Sequence, residues 1–289
     1  MGGLLSFWEF LENRHLRLIL RMLLLPLLRH CTAEHQDQVL GPVLPQIFAD
    51  LHARLHRGYT ALAAGSGGVG GAGGGGDAAC RERLVEHLGG ETLGVCEETA
   101  LRQLHREAVD LILSISNLAT QAQMLEGGGS GGGVDGAKLL LRSEASARSV
   151  LHVLAGTLVW HDSIAKGKAI EAAGRLVGLV GAGGGGDVLE ACRAMIAGEL
   201  FSAALSGLAS SMQSLHGDRG DIEGPLSGLV TDIYGALAER HPAIRHALVN
   251  AGFSSAELSD LETRVLREAS GEKAQRVAMR AILQQKFRG

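Results

Sequence analysis

The segment Thr99–Glu126, TALRQLHREAVDLILSISNLATQAQMLE, decides the fold class of this chain. Its apolar residues recur at alternating steps of three and four, and they are Leu101, Leu104, Ala108, Leu111, Ile115, Leu118, Ala122 and Leu125. This spacing lines up one apolar stripe along a single helix face, which other parts of the protein must cover. The segment therefore predicts a long amphipathic helix packed inside an all-α protein.

Helix signals of the same kind occur later in the chain. An apolar stripe follows Asp187, which we expect to be an N-cap, and it ends at Leu208. Ser254 and Glu257 have the spacing of a capping box. Gly252, just before them, suits the C′ position of the preceding helix. These local signals predict where helices begin and end.

Prolines and the lack of strand patterns complete the helix prediction. We expect Pro225 and Pro242 in first helical turns, where a proline costs no backbone hydrogen bond. No segment shows a convincing strand pattern. The expected helices span residues 4–30, 34–57, 78–88, 97–126, 143–160, 162–180, 187–210, 222–240, 242–251, 255–269 and 271–287.

Three glycine runs separate the helical blocks. They occupy residues 65–76 (GSGGVGGAGGGG), 127–133 (GGGSGGG) and 181–186 (GAGGGG). Because glycine loses the most backbone freedom on ordering, we expect flexible, disordered loops at these positions. We expect residues 1–289 to form a single HEAT-like solenoid of stacked antiparallel helix pairs. A compact helical bundle is the alternative, since no repeat of fixed period is evident.

Composition limits the classes of protein that fit. Hydrophobic residues make up 46% of the 289 residues and aromatic residues only 3%, which predicts an aliphatic core. The formal net charge of −4 means that any anionic partner must meet a local basic patch. The four cysteines lack metal-binding or redox spacing, so we expect reduced, buried thiols in an intracellular protein.

One apolar run, Leu16–Leu28, could suggest a membrane segment. Arg17, Arg21 and Pro26 interrupt it, and it is shorter than the roughly 20 residues that a spanning helix needs. We therefore expect a buried helix here and no membrane span.

The sequence offers no arrangement that predicts an enzyme. The match to a dinucleotide fingerprint at Gly65–Gly70 lies in a glycine tract without a preceding strand. His52 and His56 share a helix face, but Ala53 stands where a zinc protease would have glutamate. We expect no catalytic residues, no cofactor and no metal site.

Two stripes of basic residues have an i, i+3, i+7 spacing. One comprises Lys273, Arg276 and Arg280, and the other Arg14, Arg17 and Arg21. Such stripes are most often solvated helix faces, with cations placed favourably near a helix C-terminus. The alternative is an anion-facing surface for RNA phosphates or an acidic protein partner. The sequence leaves both interpretations open.

The segment Leu24–Leu55, LLPLLRHCTAEHQDQVLGPVLPQIFADLHARL, resembles the exportin-5/HASTY family of karyopherins in the importin-β superfamily. Later landmarks follow in the order of that family, and they are Leu104–Ile112 (LHREAVDLI), Leu158–Ala165 (LVWHDSIA), Leu229–Val249 and Glu272–Leu283 (EKAQRVAMRAIL). The resemblance covers most of the chain and places it in the C-terminal part of the family's architecture.

The resemblance implies a HEAT-repeat nuclear export receptor that shuttles between nucleus and cytoplasm. Receptors of this family bind Ran-GTP together with cargo, which includes microRNA precursors, other structured RNA and some proteins. This chain is far shorter than a whole exportin, so we expect the repeats with the main Ran contacts to be missing. No individual Ran or RNA contact can be transferred from the family. The alternative is a helical-repeat adaptor for protein–protein interaction without an RNA role.

Overall fold

The computed structural model describes residues 45–49, 51–53, 55–56, 97–117, 136–159, 163–181, 186–213 and 219–288. Regular structure in these residues is helical throughout, with no strand, which confirms the predicted all-α class. The bounded helices are α1 (Glu97–Ser116), α2 (Gly136–Leu140), α3 (Glu144–Val159), α4 (Ser163–Gly181), α5 (Asp187–Met195), α6 (Phe201–Gln213), α7 (Arg219–Leu237), α8 (Pro242–Asn250), α9 (Ser255–Leu261) and α10 (Glu272–Arg288).

The chain divides into two compact units, Met1–Leu140 and Leu141–Gly289. Within the first unit, α1 packs against the short helix α2. The predicted stripe is confirmed where it is described, because Leu104, Ala108, Leu111 and Ile115 are all buried. Leu118, Ala122, Leu125 and the side chain of Leu101 lie outside the described residues. The single array predicted for residues 1–289 stays a prediction.

The second unit is built around α7. This helix packs against α4, α6 and α10, while α3 packs against both α4 and α6. The apolar face of α7 is fully covered by these neighbours, and its buried residues include Leu226, Leu229, Val230, Ile233 and Leu237. Short connections between successive helices such as α3 and α4 favour antiparallel pairs, the unit of a helical-repeat array.

The corner between α8 and α9 forms as the local sequence predicts. His241 is the N-cap of α8 and Pro242 its first residue. Gly252, at φ +88°, ends the helix: its amide donates to the Val249 carbonyl (2.9 Å) and the Phe253 amide donates to Leu248 (3.1 Å). These two bonds are a Schellman motif, which only a residue tolerant of positive φ closes without strain. The capping box follows at once, with Ser254 and Glu257 bonded in both directions.

Two local predictions are wrong. Asp187 is the first residue of α5, and the N-cap is Gly186, which has no side chain to accept a bond. The Asp187 carboxylate remains in the first turn, where the helix dipole favours it. Pro225 lies inside α7 and not in its first turn, because the helix begins at Arg219. The proline removes only one amide donor, and it lies on the exposed side of the helix.

A π-helical turn, Ile196–Leu200, joins α5 to α6 without a break. The predicted stripe crosses this turn in steps of four residues: Cys192, Ile196, Leu200, Ala204 and Leu208 are all completely buried. In an α-helix each four-residue step overshoots a full turn by about 40°. The wider π turn rotates less per residue and so offsets part of this drift. It therefore keeps the whole stripe facing the core.

The glycine runs at 65–76 and 127–133, and residues 182–185 of the third, lie outside the described residues. A side chain links the two helices on either side of the third run. Arg193, only 7% exposed, donates through Nε to the Val180 carbonyl at the end of α4 (3.0 Å) and through a guanidinium NH to Glu190 (2.9 Å). The bond to Val180 satisfies a helix-terminal carbonyl that lacks an intrahelical partner. Arg193 of α5 thus holds the end of α4 in place.

A glycine substitution tests the packing of α6 on α3. A Cβ added at Gly207 would collide with the backbone carbonyl of Leu158, whereas one added at Gly174 in α4 would meet open space. We expect Gly207→Ala to lower the free energy of unfolding by about 1–3 kcal/mol. Gly174→Ala, the matched control, should raise it by about 0.5–1 kcal/mol. Urea unfolding measures both, and a Gly207→Ala protein as stable as the parent would contradict the close approach.

Candidate functional site: the face of the C-terminal helix

The helix α10 has two chemically different sides. Its inner side buries Met279, Ile282 and Leu283. They lie on the side of α10 that packs against α6, α7 and the π turn Glu262–Glu268. Its outer side carries the predicted stripe of Lys273, Arg276 and Arg280. The structure therefore places all three predicted cations on one helix at the surface.

Arg276 is held by carboxylates on two helices. Its guanidinium reaches Asp232 of α7 through two nitrogens, with Nε–Oδ1 at 3.2 Å and an NH–Oδ2 distance of 2.9 Å. The same guanidinium contacts Glu272 at 2.6 Å within α10. A bidentate pair fixes the orientation of a guanidinium as well as its position. The positive charge of Arg276 is therefore largely matched inside the protein.

Glu223 of α7 contacts two further arginines of α10. Its side chain is only 4% exposed and lies 2.5 Å from Arg288 and 3.6 Å from Arg280. Gln284 donates a further hydrogen bond to it at 3.1 Å. A buried carboxylate is costly without partners, so these three side chains of α10 are what make its burial tolerable. Glu223 thereby ties the second half of α10 to α7.

A third carboxylate anchors the end of α10 to the capping box. Glu257 accepts hydrogen bonds from Lys286, the nearer at 3.0 Å. The Lys286 ammonium also lies 5.3 Å from the centre of the Phe253 ring, and Phe287 meets that ring edge-on. The amide and hydroxyl of Ser254, and then Lys286, lower the pKa of Glu257 to about 2. The cap of one helix is thus also the docking point of another.

The predicted stripe is consequently not a row of unmatched charges. Arg276 and Arg280 have carboxylate partners, whereas Lys273 is exposed and has no ion pair within the described part of the chain. The second stripe, Arg14, Arg17 and Arg21, lies outside the described residues. Sequence reasoning missed Glu223 and Asp232 and identified Glu257 only as a capping-box residue. These partners come from other helices, and no local spacing links them to α10.

Two open grooves flank the outer side of α10. The larger, of about 730 Å³, is bounded by α4, α7 and α10. The smaller, of about 610 Å³, lies along the π turn Glu262–Glu268 and the segment after it. Lys273 and Val277 line both grooves. The outer side of α10 is therefore a ridge between two depressions.

Chemically reactive groups are few in the described residues. No cluster of three or more metal-ligating side chains occurs among them. Cys192 is buried, and this burial raises its thiol pKa to about 11, so the thiol stays protonated and unreactive. No helix in the described ranges has the length and hydropathy to span a membrane.

Comparison with known proteins gives the family. The model of the Exportin-5 family matches residues 1–288, nearly the whole chain. The chain belongs to the Exportin-5 family. Among curated relatives of the family, mouse Exportin-5 is 30% identical over 99 residues, which are 34% of this chain and 7% of the mouse protein. No solved structure shows a significant match.

The Glu257 anchor predicts a specific pH dependence. Folding lowers the Glu257 pKa from 4.5 to about 2, so its contribution to stability is complete above the unfolded value and is lost as the pH falls toward 2. Glu257→Gln keeps an acceptor for Ser254 but removes the charge facing Lys286. We expect it to lower the free energy of unfolding at neutral pH. We also expect that free energy to fall less steeply with pH between about pH 4.5 and 2 than in the parent protein.

Chemical unfolding at a series of pH values measures this effect. Glu239→Gln is the matched control, since Glu239 is an exposed carboxylate outside the network. If the free energy of unfolding falls as steeply with acid pH in Glu257→Gln as in the parent protein, Glu257 does not anchor α10.

Proposed function

We propose that this chain is the C-terminal part of a nuclear export receptor and acts as a scaffold for cargo export with Ran-GTP. The observation that carries the proposal is the family match over residues 1–288. The all-α fold supports it, because stacked helices offer extended surfaces for macromolecules. Such a receptor is a transport protein, not an enzyme, and shuttles between nucleus and cytoplasm.

The proposed cargo is precursor microRNA or other structured RNA, or protein. Duplex RNA hides its base edges in a deep groove, so a helical array would grip shape and phosphates. The candidate contacts are Lys273, Arg276 and Arg280, with the second stripe Arg14, Arg17 and Arg21 as further candidates. Since the net charge of the chain is −4 and carboxylates already match Arg276 and Arg280, we expect RNA contact by the isolated chain to be weak. Because the proposed contact is with phosphates, we also expect it to be strongly salt-dependent.

A Ran titration tests the assignment to the C-terminal part of the receptor. The resemblance implies that this chain lacks the repeats that carry the family's main Ran contacts. We therefore expect the isolated chain to bind Ran-GTP weakly or not at all in a calorimetric titration. Full-length mouse Exportin-5 with cargo provides the positive control. Nanomolar binding of Ran-GTP to this chain alone would refute the assignment to the C-terminal part.

Charge reversal tests the RNA contact. We expect a variant with Lys273→Glu, Arg276→Glu and Arg280→Glu to bind duplexes of different sequence equally weakly. The slope of log affinity against log salt should fall by about 0.9 for each phosphate that the variant no longer neutralises. Lys273→Glu alone should act in the same direction without breaking an ion pair.

Arg245→Glu is the control, because Arg245 is an exposed cation on α8 away from the stripe. Circular dichroism checks that the triple variant remains folded. Unchanged RNA affinity in both stripe variants, or an affinity that follows base sequence, would favour the second candidate function. That candidate is a protein-interaction adaptor without an RNA role, and the internal pairing of the arginines favours it.

A further inference from the structure

The outer side of α10 exposes an apolar strip that the fold leaves uncovered. Val277 is 65% exposed, more than any other large hydrophobic residue in the described part of the chain. Ala274 and Ala281 are exposed one turn on either side of it, and Ala278 is half-buried. We call these four residues the α10 crest. Its members follow the i, i+3, i+4, i+7 spacing of one helix face.

The crest has the surface shape that suits a packed helix. Val277 stands between the two grooves and lines both of them. Ridges that fit into neighbouring grooves are how helices pack on each other. Gly174, Gly224 and the other glycine of the larger groove, Gly228, have open space where a side chain would be. Side chains of a visiting helix could therefore enter that groove without displacing protein atoms.

The charges around the crest argue against a polyanion. Arg264 pairs with Asp260, Arg276 with Asp232, and Arg280 lies near the buried Glu223. Asp232, Glu268 and Glu272 line the same two grooves and would repel phosphates. A nucleic acid gains affinity by neutralising its phosphates with available cations, and few are available here.

A single carboxylate, by contrast, has a suitable partner. Lys273 is exposed, has no ion pair in the described ranges, and lines both grooves. It lies in the first turn of α10, where the positive end of the helix dipole also favours an acid. The surface thus combines an apolar centre with one cation at a defined end.

We propose that the α10 crest is a docking site for an amphipathic helix of a protein partner that carries one acidic residue near its end. Two apolar side chains of that helix, one turn apart, straddle Val277 and enter the two grooves. A carboxylate near one end of the helix pairs with Lys273. This inference goes beyond the proposed export function, because it concerns a protein partner and not the cargo. It assigns Lys273 to that partner, so RNA phosphates and the partner helix would compete for the same lysine.

The test uses the full chain and a displayed library of peptides of about 14 residues, or roughly four helical turns. Selection is for binding to the parent protein, with counter-selection against Val277→Asp. We expect enriched peptides to carry apolar residues at i and i+4 and an acidic residue near one end. Anisotropy titration of the most enriched peptide then gives its affinity for each variant.

Neutral and charge-swap variants identify the contacts. Val277→Ser, which removes the apolar group without adding charge, should weaken peptide binding about tenfold. Val249→Ser is the matched control, since Val249 is an exposed valine on α8 outside both grooves, and it should bind as the parent does. Lys273→Glu should weaken binding of the acidic peptide. Replacing the acidic residue of the peptide by lysine should restore its binding to the Lys273→Glu variant.

Several outcomes would overturn the proposal. They are the absence of any peptide that survives counter-selection, equal binding by Val277→Ser, and failure of the charge swap. A short RNA duplex serves as the other probe. If it competes with the peptide and loses affinity on Val277→Ser as the peptide does, the crest is a nucleic-acid surface and the proposal is wrong. Neither result depends on Ran binding, so the export proposal stands or falls separately.

Discussion

Helix α7 carries the interactions on which the second unit depends. Its apolar face is buried against α4 and α6, and its residues Glu223 and Asp232 hold α10 through their carboxylates. One helix therefore serves both as the centre of the core and as the anchor of the outermost helix. Apolar burial supplies most of the stabilisation in such a unit. The ion pairs fix the rotation of α10, because a bidentate guanidinium and a buried carboxylate tolerate little displacement.

The corner after α8 is a second anchor for the C-terminal half of α10. The Schellman turn at Gly252 positions Phe253 and Ser254, and the capping box then positions Glu257. Phe253 meets the ring of Phe287, and Glu257 binds Lys286. The hydrogen bonds that end α8 and start α9 thus also position the two residues that bind α10. The orientation of α10 follows from both anchors together.

These anchors determine what the outer side of α10 offers to a partner. Most basic groups of α10 are directed to carboxylates of the same chain, so the helix presents a near-neutral surface with one available lysine and an exposed valine. A surface of modest charge makes little use of the electrostatic contacts that mostly govern association rates and salt sensitivity. The outer side of α10 fits recognition by shape and apolar contact better than by phosphate binding.

The sequence by itself determined the features that depend on neighbours within a few residues. The stripe through Leu111 and Ile115 gave the all-α class, and the signals at Pro242, Gly252 and Ser254 gave the helix ends, because caps and amphipathic faces are local. The prediction for Pro225 was wrong, because α7 begins at Arg219 and Pro225 therefore lies beyond its first turn. The π turn at Ile196–Leu200 escaped as well, because its hydrogen-bond pattern leaves no residue signature.

Only the tertiary structure decided which basic residues of α10 are available to a partner. The spacing of Lys273, Arg276 and Arg280 is the same whether the face is solvated, paired or free. The carboxylate partner of Arg276 on α7 lies 44 residues away along the chain and that of Arg288 lies 65 away. No sequence period connects such positions. Charges separated in sequence compensate each other only when packing brings their helices together, so local pattern predicts the elements and three-dimensional packing decides the chemistry of their surface.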